Sequence, residues 1–331
     1  MTDSAVSTGA PSSFWRRHRW ILFRLLYGVV TLFLVAVVVF FATSILPGDV
    51  ARVILGRLAT EDAVAALRDS MGLNDPLPVQ FGRWLGGLLS GSPGTSLISG
   101  VPVLDYVLPR LANTLILVAF TAVIGIPLAV FLGVSAALKP RSFSDWLVNT
   151  ASIVIAGLPE FVIGILLIVL FSTGLMHLLP AVSITASGNP LADPQVLVLP
   201  VLTLVIVVLP YTGRQMRASM LDVLGMEYIE MARLRGIREG RVVWNHAIRN
   251  AMAPALQAAA LTLAFLLGGT IVVEYLFQYP GIGMALNDAV MQRDLPVVQF
   301  IVVIMAGGYI LFNLLADVLT VLVTPKLRTA Q

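Results

Sequence analysis

An all-α integral membrane protein with six transmembrane helices is predicted by three observations. Of the 331 residues, 58% are hydrophobic and only 12% charged, and the mean hydropathy is +0.91. That leaves too little polar surface to cover a water-soluble globule of this size. Apolar runs long enough to cross roughly 30 Å of hydrocarbon recur along the chain. Lysine and arginine gather on alternate connections between those runs, as topology in a membrane requires.

Residues 1–19 read as a basic tail, because Met1 to Ser13 is rich in Ser, Thr, Gly, Ala and Pro and cannot bury a core. The first span is assigned to residues 20–46, with a long apolar run from Leu25 to Leu46. This run is longer than the apolar part of a signal peptide, and no small-x-small cleavage site follows it. Pro47-Gly48-Asp49 ends the span. Residues 47–110 form an extracytoplasmic insertion in which Thr60-Glu61-Asp62 opens a helical piece and Asn74-Asp75-Pro76 turns the chain.

The remaining spans are expected at Leu111 to Leu138, Trp146 to Phe171, Val196 to about Tyr211, Pro254 to Leu276 and Pro296 to Val323, within a domain of residues 111–325. The fourth reaches across a bilayer only if its partly polar continuation through Met216 prolongs it. With both termini in the cytoplasm, the N-terminal region through Arg24, the Lys139 to Asp145 hairpin, the Arg214 to Arg249 segment and the tail 326–331 hold 15 of the 21 Lys and Arg. A loop from Gly174 to Pro194 lies outside, and its His177 has no second ligand at metal spacing.

Met226 to Pro254 is the longest charged stretch between apolar spans. Tyr228, Met231, Ala232 and Leu234 recur at helical spacing, so a short amphipathic helix is expected. Gly236 suits the left-handed residue that closes it, and a second short helix over Glu239 to Arg249 then starts in a new direction. The plain alternative is a basic loop that fixes topology and touches lipid headgroups.

Glu230, Met231 and Ala232, with Gly236 four residues later, resemble the Glu-Ala-Ala-x-x-x-Gly loop of ABC transporter permeases, with Met where Ala is usual. The flanking Glu227-Tyr228-Ile229 and His246-Ala247-Ile248-Arg249-Asn250-Ala251 are similar to the peptide/nickel importer subfamily. So are Leu46-Pro47-Gly48-Asp49, Gly72 to Leu77, Phe277 to Gly283, Arg293 to Gln299 and Thr324-Pro325-Lys326-Leu327-Arg328. The resemblance is to the first of the two permease subunits and implies the type I importer fold. It implies a docking helix for a cytoplasmic ATPase at Glu227, Tyr228, Glu230, Met231, Ala232, Arg233, Arg235 and Gly236. It also implies a second homologous permease, one or two ATPase polypeptides, an extracytoplasmic substrate-binding protein and surrounding lipid. The substrate it implies is a di- or oligopeptide; nickel chelates, opines, glutathione and oligosaccharides are the alternatives within the subfamily.

The chain carries no energy-coupling chemistry of its own. A P-loop needs Gly-Lys-Ser/Thr, yet Lys139 and Lys326 are followed by Pro140 and Leu327. ATP and Mg are therefore expected on the partner ATPase, with no cofactor and no catalytic residue here. There is no cysteine, and His18, His177 and His246 lie far apart, so no metal site is expected. Nucleic acid is not an expected partner, since the basic residues flank apolar spans.

Intramembrane polar residues are costly and so mark a pathway. Glu160, Asn113 and Glu274 are the candidates. Glu160 either faces the cavity and meets an amine or cation, or is satisfied by a backbone group or Asn113. Glu274, Asn313 and Asp317 fit structural or gating roles better than substrate contact. The rival class is an ion-coupled secondary transporter using Glu160, Glu274 and Asp317 as a relay; it calls for inverted repeats, of which the chain shows none.

Overall fold

The computed structural model describes residues 13–45, 50–56, 59–174, 176–185 and 188–323. Among these the structure is helical, with one isolated bridge, Thr95 to Pro102, in place of any strand. Helix α1 is Ser13–Ile45, α2 Val50–Leu55, α3 Glu61–Ser70, α4 Leu77–Leu89, α5 Val103–Leu138, α6 Phe143–Ala156 and α7 Glu160–Ile168. The second half holds α8 Gln195–Leu224, α9 Glu227–Leu234, α10 Glu239–Arg241, α11 Arg249–Phe277, α12 Ile282–Gln292 and α13 Leu295–Val323.

Five helical stretches are long and apolar enough to cross a membrane, and a bent pair supplies a sixth crossing if counted as one span. Several expectations are corrected in detail. Helix α1 already includes Arg16, Arg17, His18 and Arg19, assigned above to the basic tail; no helix breaker separates them from the apolar run. The expected break at Pro47-Gly48-Asp49 and the tail from Thr324 lie outside the described residues. The insertion 47–110 contains three helices, and α5 starts at Val103 rather than Leu111, directly after Pro102. Pro254 sits inside α11 rather than at its start.

The third span departs most. Residues Trp146 to Phe171 were expected as one helix, but α6 meets the second arm, α7 with the π-helical turn Val169–Thr173 that extends it, at 105°. Pro159 has no amide hydrogen to donate and pushes Leu158 away from helical geometry, so the ladder stops at Gly157 and restarts with Glu160. The fourth span instead runs longer than its apolar core, to Leu224.

Helices α5, α8 and α11 pack together, with α7 against α8 and α11, and α13 against α11 and α1. At Gly133 the α5 backbone approaches α8 so closely that a Cβ would lie 2.5 Å from the Gly213 carbonyl oxygen. A Cβ at Gly164 would likewise meet Leu276 and Phe277, whereas one at Gly268 would meet nothing within 4 Å. Helix α1 is stapled to α13 by Gln299 donating to Thr43 (2.7 Å) and to α4 by a group that includes Phe40, Phe81 and Trp84.

One ion pair fixes the hairpin before α6. Arg217 of α8 donates to both Asp145 oxygens (2.6 and 2.8 Å), which also accept from the Arg141 amide and Asn149. Asp145 is buried and Arg217 half-buried. Asp145→Ala should therefore cost about 3 kcal/mol, the penalty of stranding one partner of a largely desolvated pair. A lowered thermal midpoint in detergent, restored in good part by the double change Asp145→Leu and Arg217→Met, checks it.

Candidate functional site

The charged segment folds as a short helix followed by a sharp reversal. Helix α9 ends in a paired motif: Gly236 donates to Arg233 O (2.9 Å) and Ile237 to Ala232 O (3.3 Å). This geometry needs a left-handed residue between helix and exit, and Gly236 supplies it at φ +76°. Arg233 bridges the turn by donating to both Glu239 oxygens (3.1 and 2.7 Å).

After the turn the structure differs from the expected short helix over Glu239 to Arg249. Helix α10 passes into a π-helical segment, Val242–Ile248, and this continues without a break into α11. The wide turn lets Val242, Val243, Ala247 and Ile248 all face inward. With Met216 and Met220 of α8 they make an apolar seat at this end of the protein.

Helix α9 rests on that seat through Ile229 and Ala232, one turn apart and buried. The apolar stripe read from the sequence is thus split between two faces. Ala232 belongs to the inner one, whereas Met231 (51% exposed) and Leu234 (75% exposed) point away from the chain. Tyr228 also lies on the outside, at 40% exposure, with its hydroxyl accepting from Asn250 at 3.0 Å. Glu227, Glu230, Arg233 and Arg235 are exposed around this outer face. Ile229, the deepest anchor, was part of the flanking pattern but not among the candidate contacts.

The intramembrane candidates separate into two groups. Asn113 and Glu274 come together in a packed network at the other end. Asn113 donates to the carbonyls of Gly188 (3.0 Å) and Pro280 (2.9 Å), and its own carbonyl accepts from the Tyr279 hydroxyl (2.7 Å). Glu274 is fully buried, accepting from Thr114 (2.6 Å), from the Gly283 amide (2.7 Å) and more weakly from Met284 (3.3 Å). Its carboxylate therefore caps α12, whose first amides have no partner within their own helix. A Cβ on Gly281 would run into that carboxylate, and one on Gly283 would lie 2.5 Å from Ile271 Cα. Asn113 and Glu274 are both buried and both tie helices together through these hydrogen bonds.

Glu160 is elsewhere. It starts α7 immediately after the bend, is half-buried, and its carboxylate lies against Gly269 of α11. It makes no hydrogen bond to Asn113, which is fully engaged with other groups. An open depression of about 630 Å³ lies alongside, lined by Asn149, Leu158, Tyr211, Arg214 and Gln215 among others. A second, apolar one of about 330 Å³ shares Val207 and Tyr211 with it and adds Thr262 and Phe265. Sequence reasoning missed this α8 face, although Tyr211, Arg214, Gln215 and Ala218 recur at helical spacing and are all exposed. Among the described residues no group of three or more His, Asp or Glu gathers as a metal site, and His177 is exposed.

Family models decide what this arrangement belongs to. Residues 125–329 match the binding-protein-dependent transport system inner membrane component, and residues 17–107 match the N-terminal model of the same components. The chain belongs to this family. It is 36% identical to a probable peptide ABC transporter permease protein of Sinorhizobium fredii over 93% of its own length and 99% of the relative's. It is 38% identical to a glutathione transport system permease protein of Salmonella typhimurium and 37% identical to one of Escherichia coli K12, in each case over 93% of this chain and 98% of the other.

The protein is therefore the permease component of an ABC importer, a multi-pass membrane subunit that transports rather than catalyses. A permease of this kind works with an ATPase and a substrate-binding protein. The ion-coupled secondary transporter is set aside by the same finding.

Proposed function

We propose that this permease forms half of the translocation pathway for di- or oligopeptides, paired in the membrane with a second, homologous permease. The peptide reading is supported by its likeness to the Sinorhizobium permease; the glutathione permeases it also resembles carry a peptide-like solute by their names. Both termini and α9 lie in the cytoplasm, the α12 end faces outward, and lipid surrounds the exposed apolar faces of α1 and α6.

The observation that carries the mechanism is the two-sided α9. Ile229 and Ala232 hold it on its own chain while Met231 and Leu234 are left for another. ATP and its Mg are bound by the ATPase, into whose cleft the outer face docks, with Glu227, Glu230, Arg233 and Arg235 around the rim. Because α9 is joined to α8 by a two-residue turn and to α11 through the π segment, displacement of α9 as the ATPase closes tilts both spans together. Alternating access then follows from rigid-body movement rather than from chemistry in this chain.

Met231→Asp with Leu234→Asp should leave the permease in the membrane, since both side chains are exposed, but release the ATPase. A tagged pull-down from solubilised membranes checks it: at least a tenfold loss of ATPase is expected, with the second permease retained. Undiminished recovery of the ATPase would remove α9 as its docking site.

A further inference from the structure

Two charges stand without a partner beside the two depressions: Glu160, whose carboxylate lies at Gly269 next to Phe265, and Arg214, which lines the larger one where α8 runs toward its cytoplasmic end. Glu160 makes no hydrogen bond or ion pair among the described residues, and neither does Arg214 of α8. The charged pair Asp145 of α6 and Arg217 of α8 is treated differently, since the two neutralise each other. Leaving an intramembrane charge unpaired is costly, and such residues face water-filled cavities or ligands.

Their levels in the membrane follow from the helices. Tyr211 of α8 and Phe265 of α11 line one depression together. Arg214 lies three residues from Tyr211 toward the α9 end, and Gly269, which the Glu160 carboxylate touches, lies four residues from Phe265 toward the other end. At about 1.5 Å per residue the two sites are separated by roughly 10 Å along the bundle. Between them lie Tyr211 and Phe265, both with exposed rings, while Thr262 sits at about the level of Arg214.

We propose that Glu160 and Arg214 are the two poles of a binding site for a zwitterion, the free amine of the solute meeting Glu160 and its carboxylate meeting Arg214. An extended di- or tripeptide, at about 3.5 Å per residue, matches that separation. The aromatic side chains between the poles offer faces for its side chains. The site deepens the peptide reading given above and rests on it. It makes the membrane subunit a second checkpoint after the binding protein, one that tests for unblocked ends.

The chain has no cysteine, so Thr262→Cys introduces its sole thiol without removing either charge. In the complete importer reconstituted in vesicles, a membrane-impermeant maleimide should label that thiol. Dialanine should slow the labelling several-fold, whereas N-acetyl-dialanine and dialanine amide should not. Adding Glu160→Gln or Arg214→Gln should abolish the protection by dialanine. No labelling, equal protection by the blocked peptides, or protection that survives both substitutions would overturn the site; so would capture of Arg214 by a carboxylate of the second permease in the assembled complex. Dialanine uptake by the same vesicles separates the two levels. Uptake without protection sinks this site alone, and absence of both sinks the peptide reading with it.

Discussion

Glu274→Ala should leave little folded permease in the membrane. The carboxylate is fully buried and accepts from Thr114, Gly283 and Met284, so truncation strands three donors and opens a cavity. Each buried donor without an acceptor costs about 1–3 kcal/mol, which puts the loss on the order of 4 kcal/mol, a large share of the stability of a typical domain. The damage is local in origin and wide in effect. Thr114 belongs to α5 and also accepts from the Ile282 amide, so the same contact ties α5, α11 and the start of α12. Glu274→Gln keeps an acceptor for the α12 amides and should retain most of the folded protein. Size-exclusion profiles and membrane abundance of the two variants provide the comparison; an Ala variant as abundant as the Gln variant would show that the network is dispensable.

Gly236→Val should fold and reach the membrane yet lose on the order of tenfold or more of its uptake, with ATP hydrolysis no longer answering to the loaded binding protein. A Cβ at Gly236 meets nothing within 4 Å, so space is not the obstacle. The backbone is: φ is +76°, a region a β-branched residue enters only with strain, at a cost of about 1–3 kcal/mol. Relief comes from opening the turn, which breaks the Ile237 to Ala232 bond and swings α9 away from the direction set by its apolar seat. Gly236→Asn, which tolerates the left-handed region, should transport at close to the normal rate. Uptake and stimulated ATPase activity in vesicles distinguish the two, and a Val variant with normal coupling would remove Gly236 as the determinant of the angle of α9.

Much of this architecture was legible in the sequence because membranes impose one-dimensional rules. A span must be long and apolar, and the basic residues beside it show which connections stay in the cytoplasm, so α1, α5, α8, α11 and α13 follow from local runs. The same holds for the end of α9, where a single Gly after an amphipathic turn determines the exit geometry. The bend between α6 and α7 was written in Leu158-Pro159 but overlooked, because hydropathy averages across a break that the backbone cannot cross.

Tertiary structure alone decided the roles of the polar residues. Glu160 and Glu274 are both acids in apolar surroundings, and nothing nearby in sequence tells them apart. One meets Thr114, 160 residues away, and the amides of α12; the other lies half-buried against Gly269 of α11 with no hydrogen-bond partner among the described residues. Helical spacing also grouped Met231 with Ala232, adjacent residues that packing on Met216 and Val242 sends to opposite surfaces. The sequence by itself determined which segments enter the membrane and where the chain reverses, since those depend on transfer free energy and backbone dihedrals of contiguous residues. Which charges are buried and satisfied, and which are left for a solute or a partner, depended on contacts between helices distant along the chain, and only the assembled bundle supplies those.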